Sequence, residues 1–302
     1  MCWVSSAKRR PHSVQVCPVE PELDHRATTM RQLKQMLSRH FPELAGAYHA
    51  FRLSHEMRKH PEKTTPFGFR FVGNARMQNG NFEADETRLL QRAAADTDVF
   101  VDVGANIGYY VCLMRSLRKH VVAIEPLGQN LDFLFANLAA NRWTDVEVFP
   151  VGLAAEPGIL EIYGGGTGAS LIPNWAGASG VLRNTVPINT LDNMLGTRFD
   201  GRRLLIKIDV EGVELDVLRG ARRTLVMSPA PKWLVEICLT ENHPDGYNPD
   251  FAEVFGLLWA SGYTAYSVEA GLRSVTPADV ERWFATRKRD FGYVSFFFEN
   301  LR

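Results

Sequence analysis

Apolar residues come along this chain in short runs punctuated by glycine turns, alternating with stretches where they recur every three or four positions. The sharpest run is Val99–Val103, apolar and β-branched or aromatic except for Asp102, which predicts a strand buried on both faces. Gly104 and Gly108 bracket a tight turn, and Tyr109–Leu117 has the spacing of a helix packing back on that strand. The unit then repeats. Val121–Ile124 predicts a second strand ending in Glu125, and Asn130–Asn141 a helix with Leu131, Leu134, Phe135 and Leu138 turned inward. Val146–Val151 predicts a third strand, Ile159–Tyr163 a further strand or hairpin partner, and Leu204–Asp209 a fourth core strand. Val213, Val217, Ala221 and Leu225 mark a helix, Trp233–Leu239 a fifth strand, and Phe251–Ser261 another helix. Two closing strands are predicted at 262–268 and 293–298. Strands alternating with helices imply an α/β fold, a parallel sheet with helices on both faces.

Around this core the pattern changes. Residues 1–28 carry Pro11, Pro18 and Pro21 without an apolar period and read as a disordered arm. Residues 29–64 read as a helical segment, divided by Pro42, that can cover the substrate or support a homodimer. The main domain is expected over 65–302. Phe67–Val72 alternates like a strand, and Ala84–Ala95 predicts a helix feeding the first core strand, with Phe82 and Glu83 just ahead of it. The glycine-rich stretch 164–180 predicts a substrate lid with Trp175 as its apolar wall.

The turn after the first strand carries the chemistry. A dinucleotide fingerprint needs glycine where Asn106 and Tyr109 stand, so a pyrophosphate would be crowded here. Asp102 at the strand end suits a cationic amino group, and Glu125 stands where such folds hydrogen-bond ribose hydroxyls. A ribose, no phosphate and an amino-acid end describe S-adenosylmethionine. The motif Asp102–Gly108 with Ile124-Glu125-Pro126 resembles the opening of a class I S-adenosylmethionine-dependent methyltransferase. Leu205–Glu214 followed by Leu218-Arg219-Gly220-Ala221 is similar to the FkbM family, whose members methylate hydroxyl groups on polyketides and sugars. The resemblance covers about residues 80 to 300. It implies a Rossmann-like class I methyltransferase fold: a mostly parallel seven-stranded sheet with helices on both faces and an antiparallel last strand, behind the helical N-terminal segment. The candidate cofactor-binding residues are Asp102, Gly104, Ala105, Asn106, Gly108, Glu125, Pro126, Gly152 and Leu153, the last two at the end of the third strand where an adenine would lie.

Asp102, Glu125, Gly152, Asp209 and Glu236 all stand at predicted strand ends, where ligands of open α/β sheets bind. A carboxylate capping the following helix accounts for any one of them, Glu211 or Glu214 above all, but not for the set. A hydroxyl acceptor must lose its proton to become a nucleophile, and the candidate catalytic residues are Asp209, Glu211, Lys207, Glu236 and His243. Lys207, Asp209 and Glu211 share one face if the strand persists, and a lysine between carboxylates stays charged and holds their geometry. Asp209 or Glu211 is favoured near the acceptor, with His243 as the rival base. Asp209, Glu211 and Glu236 are also hard oxygen ligands suited to magnesium, but no His or Cys accompanies them at a metal spacing, so no metal is expected.

Composition narrows the partners. Basic and acidic side chains balance at 34 each among 302 residues, so no global field draws the chain to nucleic acid or an anionic membrane. The four cysteines form no C-x-x-C pair and read as reduced thiols, and no run of 18 apolar residues is present. A cytoplasmic enzyme of natural-product or glycan biosynthesis, O-methylating a small-molecule or glycan hydroxyl, is the expectation. The competing readings are a non-catalytic module that keeps the S-adenosylmethionine fold and an N-methyltransferase of a small molecule.

Overall fold

The computed structural model describes residues 61–177, 183–269 and 271–300; the readings for 1–28 and for 29–60 fall outside them. In chain order the strands are β1 (Lys63–Thr64), β2 (Arg70–Phe71), β3 (Val99–Val103), β4 (His120–Ile124), β5 (Glu147–Phe149), β6 (Gly152–Leu153) and β7 (Gly158–Tyr163). They continue with β8 (Arg183–Asn189), β9 (Leu204–Ile208), β10 (Lys232–Glu236), β11 (Thr264–Ser267), β12 (Arg273–Val275) and β13 (Ser295–Glu299). The helices are α1 (Ala75–Gln78), α2 (Ala84–Ala93), α3 (Tyr109–Ser116), α4 (Gly128–Ala140), α5 (Leu191–Leu195), α6 (Glu214–Arg219), α7 (Arg222–Leu225), α8 (Phe251–Ala260) and α9 (Pro277–Thr286).

The main sheet runs β12-β11-β13-β10-β9-β3-β4-β5. Pairing is parallel from β10 through β9, β3 and β4 to β5, and β13 is antiparallel to both β10 and β11. The seven expected strands are present, and β12 adds an eighth at the edge, antiparallel to β11. The chain leaves β3 first toward β4 and later returns beside it as β9, so the order reverses between β3 and β9. That reversal leaves a crevice at the carboxyl ends of both strands.

The period of two sorts the core. Val99, Val101 and Val103 join Trp233, Val235, Phe296 and the α8 residues Phe251, Phe255 and Leu258 on one face. Phe100, Leu205, Leu234 and Phe297 face the other way, against Leu89 and Leu90 of α2 and Tyr110 and Leu113 of α3. By the same parity Asp102, Lys207 and Glu236 point to the α2–α3 face. Polar groups thus continue an apolar row only where the strands reach the crevice.

Three local departures from the sequence reading matter for the crevice. The strand expected to run to Asp209 ends at Ile208, because Glu211 (φ 56°) and Gly212 (φ 100°) turn the chain left-handed. The third strand stops at Phe149, and Gly152–Leu153 leaves to join a separate sheet, β6-β8-β7. The single helix predicted from Val213 to Leu225 breaks at Gly220, where a Cβ would lie 2.3 Å from the Ala154 carbonyl oxygen. Lys63–Thr64, at the tail of the segment read as helical, pairs instead with Arg70–Phe71.

Candidate active site

A cavity of about 380 Å³ opens at the reversal point. One wall is the turn after β3. Gly104 adopts φ 84°, and a Cβ there would stand 1.9 Å from the Asp209 carbonyl oxygen, so only glycine lets the turn pass under the β9 end. Asn106 is also left-handed (φ 51°), with its side-chain oxygen accepting from the Ile107 N–H at 2.8 Å. Gly108 does not line the cavity; it opens α3 in the left-handed region (φ 85°) against Leu134.

Glu125 ends β4 and is 4% exposed. Its carboxylate accepts from the Asn106 N–H at 2.8 Å, the Leu127 N–H at 2.9 Å and the Asn130 side-chain amide at 3.1 Å. Burial pushes its pKa up, opposed by these donors. About four acceptor positions exist on a carboxylate, so one remains for a ligand. Pro126, Gly152 and Leu153 complete this side, with Ile188 so close to Gly152 that a Cβ would meet it at 2.7 Å. Gly166, Ala169 and Leu171 of the glycine-rich segment form an adjoining wall.

The opposite end is built from charged side chains. Lys207 is 3% exposed and stands directly across from Asp102 in the β3–β9 register. Its ammonium donates to Asp209 Oδ2 at 2.6 Å and lies 5.1 Å from the centre of the Tyr110 ring. Burial alone would pull its pKa down, but the surrounding carboxylates of Asp209, Glu83, Asp102 and Glu86 outweigh that and hold it above the usual lysine range. Glu211 accepts from the Trp175 indole N–H at 2.6 Å, and its backbone carbonyl accepts from the Ser170 hydroxyl at 2.5 Å. Burial, with the nearby Asp209 charge, raises Glu211 to about 7. Burial raises Asp102 to about 7 as well and lifts Glu236 well above the carboxylate range. Glu86, outside the cavity lining, accepts from the Ser295 hydroxyl at 2.6 Å and is raised to about 8, again mainly by burial.

Of the residues singled out in the sequence, Asp102, Gly104, Ala105, Asn106, Glu125, Pro126, Gly152, Leu153, Lys207, Asp209, Glu211 and Glu236 meet around this one cavity. His243 does not. Its ring packs edge-on against Trp175 at 5.9 Å, and its Nδ1 accepts from the Asp245 N–H at 3.2 Å within its own loop. Trp175 is not a lid wall either: 1% exposed, it lies outside the cavity lining, over Gly212, where a Cβ would strike its ring at 2.4 Å. Glu214 takes the cap role, accepting from the Gly212 N–H at 2.9 Å. Sequence reasoning missed Asn74, Met77, Tyr110 and Asn130 as lining residues. Tyr110 alone carried a signal, since it follows the turn by two residues and lies in the first turn of the helix that packs on the Asp102 face.

Among the described residues that line the cavity, Lys207 is the one cation and no arginine is present. With that lysine bonded to Asp209, a phosphate would meet no unpaired cationic side chain among the described lining residues, whereas a ligand bearing positive charge and hydroxyl groups would meet carboxylates. Among the described residues no group of three His, Cys, Asp or Glu side chains has the geometry to hold a metal ion, and no helix is long and apolar enough to cross a membrane.

The family model of the methyltransferase FkbM domain matches residues 102–265, more than half of the chain. The chain belongs to the FkbM methyltransferase family. The cofactor of such enzymes is S-adenosylmethionine, and the donor set described above fits it. This FkbM chain is 31% identical, over 151 residues, to the hexuronic acid methyltransferase AglP of Haloferax volcanii. That match spans 47% of the chain and 58% of the relative's length. Among solved structures it resembles the ribosomal protein L11 methylase of Lactobacillus delbrueckii subsp. bulgaricus (TM-score 0.40, 11% identity, 74% of this chain and 81% of that one). It also resembles fibrillarin of Aeropyrum pernix in complex with S-adenosyl-L-methionine (TM-score 0.37, 11% identity, 70% and 72%).

Proposed function

We propose that the protein transfers a methyl group from S-adenosylmethionine to a hydroxyl oxygen of a sugar or of a polyketide-type acceptor. The observation that carries this reading is the run Lys207–Asp209–Glu211 beside the cofactor turn, with Glu236 facing the same cavity. The hexuronic acid relative favours the sugar.

Bound in the cavity, the cofactor supplies a methyl group on a sulfonium centre. The chain's own residues then have three tasks. The turn Gly104–Asn106 and Glu125 orient the nucleoside. Lys207, held charged, fixes the Asp209 carboxylate and keeps it from rotating away from the acceptor. Glu211 takes the hydroxyl proton: a carboxylate with a pKa near 7 is a far better base at neutral pH than an ordinary one. Its bond from Trp175 sets the orientation of the accepting oxygen. The new O–C bond would form as the donor's S–CH3 bond breaks to leave a neutral thioether, with the acceptor's proton on Glu211 until it is lost to solvent on product release.

The test is transfer of labelled methyl from S-adenosylmethionine to a panel of hexoses, hexuronic acids and macrolides, with the linkage of the product determined. A base-stable methyl ether supports the reading. A labelled amine would favour N-methylation, and cofactor binding without transfer to any hydroxyl or amine would favour the non-catalytic module.

A further inference from the structure

The base assigned above stands in a conformation that has to be held. Glu211 is left-handed (φ 56°), a region that residues other than glycine rarely adopt, and Gly212 follows at φ 100°. The peptide between them is pinned at both ends. Its carbonyl oxygen accepts from the Ser170 hydroxyl at 2.5 Å, and its N–H donates to Glu214 Oε1 at 2.9 Å. Strain of this kind persists only where the surroundings over-determine it. Glycine reaches either sign of φ with ease, so Gly212 itself supplies little of that restraint.

Ser170 is 1% exposed and lies outside the cavity lining, whereas its neighbours Ala169 and Leu171 form part of the wall. Its backbone is fixed against Tyr163 by an antiparallel pair of bonds, 3.0 Å from its own N–H and 2.7 Å to its carbonyl. The hydroxyl oxygen accepts from the Ile172 N–H at 2.9 Å, which leaves its one proton for the Glu211 carbonyl. A carbonyl can only accept, so the direction of that bond is settled. From the same segment, Ile172 and Trp175 cover Gly212, where a Cβ would come within 2.9 Å of Ile172 and 2.4 Å of the indole. Because Ser170 does not line the cavity, it reaches the chemistry through Glu211.

We propose that Ser170 is a positioning residue for methyl transfer: its hydroxyl holds the Glu211–Gly212 peptide in the left-handed turn and thereby aims the Glu211 carboxylate at the acceptor. The assignment rests on the reading of Glu211 as the base. It gives the glycine-rich segment a definite task, since the stretch whose Ala169 and Leu171 line the cavity also sets the aim of the base.

A double-mutant cycle with Glu211 tests it. The readouts are turnover of whichever acceptor of the panel is methylated and, by calorimetry, affinity for S-adenosylhomocysteine. Ser170→Ala should lower turnover at saturation about tenfold or more and leave that affinity within about twofold of wild type. Ser170→Cys keeps the volume with a much weaker donor; it should show the same split, and it serves if Ser170→Ala does not fold. In a Glu211→Gln protein, adding Ser170→Ala should cost no more than about twofold, because residues that act as one unit are not additive. Full turnover in Ser170→Ala, matched losses of turnover and affinity, or an undiminished loss in the Glu211→Gln background overturns the assignment and leaves Glu211 as the base. Full turnover in Glu211→Gln overturns the base reading and this proposal with it. A wild-type protein that methylates no acceptor overturns the proposed function as a whole.

Discussion

At the nucleoside end of the cavity, Glu125 is held by two backbone N–H groups and one amide, all from residues within about twenty positions of it. At the other end, Lys207 holds Asp209 and Trp175, from a segment 36 residues upstream, holds Glu211, side chain to side chain, on either side of a left-handed turn. The first end is a fixed hydrogen-bonded frame whose charge is absorbed by donors. The second gathers the Asp209, Glu211 and Glu236 carboxylates near one ammonium, and burial, with the neighbouring Asp209 charge, raises Glu211 to about 7. On the proposed function, the difference assigns the first end to holding the cofactor and the second to moving a proton.

Gly104→Ala attacks the frame where both ends touch. The Cβ would meet the Asp209 carbonyl in a backbone conformation alanine resists, so a loss of about 3 kcal/mol of stability is expected, with cofactor binding abolished. Thermal unfolding with and without S-adenosylhomocysteine checks it. Glu211→Gln attacks the other end: turnover should fall about 100-fold or more, with cofactor affinity within about threefold. Equal losses in both would erase the distinction between the ends.

Glu125→Ala should do the reverse. It removes the ribose acceptor and frees two backbone donors, costing about 1.5–3 kcal/mol in cofactor affinity while turnover at saturation changes little. Trp175→Phe is subtler. The indole bond favours ionised Glu211, so its loss should move the acid limb of the rate profile upward by about half a pH unit to one unit.

The smallest effect is on the stability of the ligand-free protein. Glu86, Asp102 and Glu214 hold protons in the folded state to about pH 8, 7 and 7, well above their unfolded values. The folded state therefore binds more protons than the unfolded one between about pH 5 and 8, and stability falls as pH rises through that window. A melting temperature that drops by several degrees from pH 6 to pH 8 is expected, and less so with the cationic cofactor present.

The nucleoside end was legible because its parts are local in sequence: strand, glycine turn, helix and the carboxylate ending the next strand all lie between Val99 and Pro126. The acceptor end was legible only in its residues, not in their arrangement. Alternation put Lys207, Asp209 and Glu211 on one face, but the strand ends at Ile208, and Glu211, in a left-handed conformation, is held at the cavity by the indole N–H of Trp175 instead. His243 was drawn in by its chemistry, yet it packs behind that indole. One further piece had a readable signal. Thr276-Pro277 with Asp279 is a capping box with proline at the first helical position, and it starts α9. Arg273–Val275 supplies the eighth strand from an edge position where three residues leave little periodicity.

The measurement that bears most directly on the account is calorimetric titration of the wild-type protein with S-adenosylmethionine and, separately, with NAD. Micromolar binding of S-adenosylmethionine and none of NAD is the predicted result, since the cavity offers carboxylates to a cation and no free cation to a pyrophosphate. Binding of NAD, or of neither ligand, would contradict it.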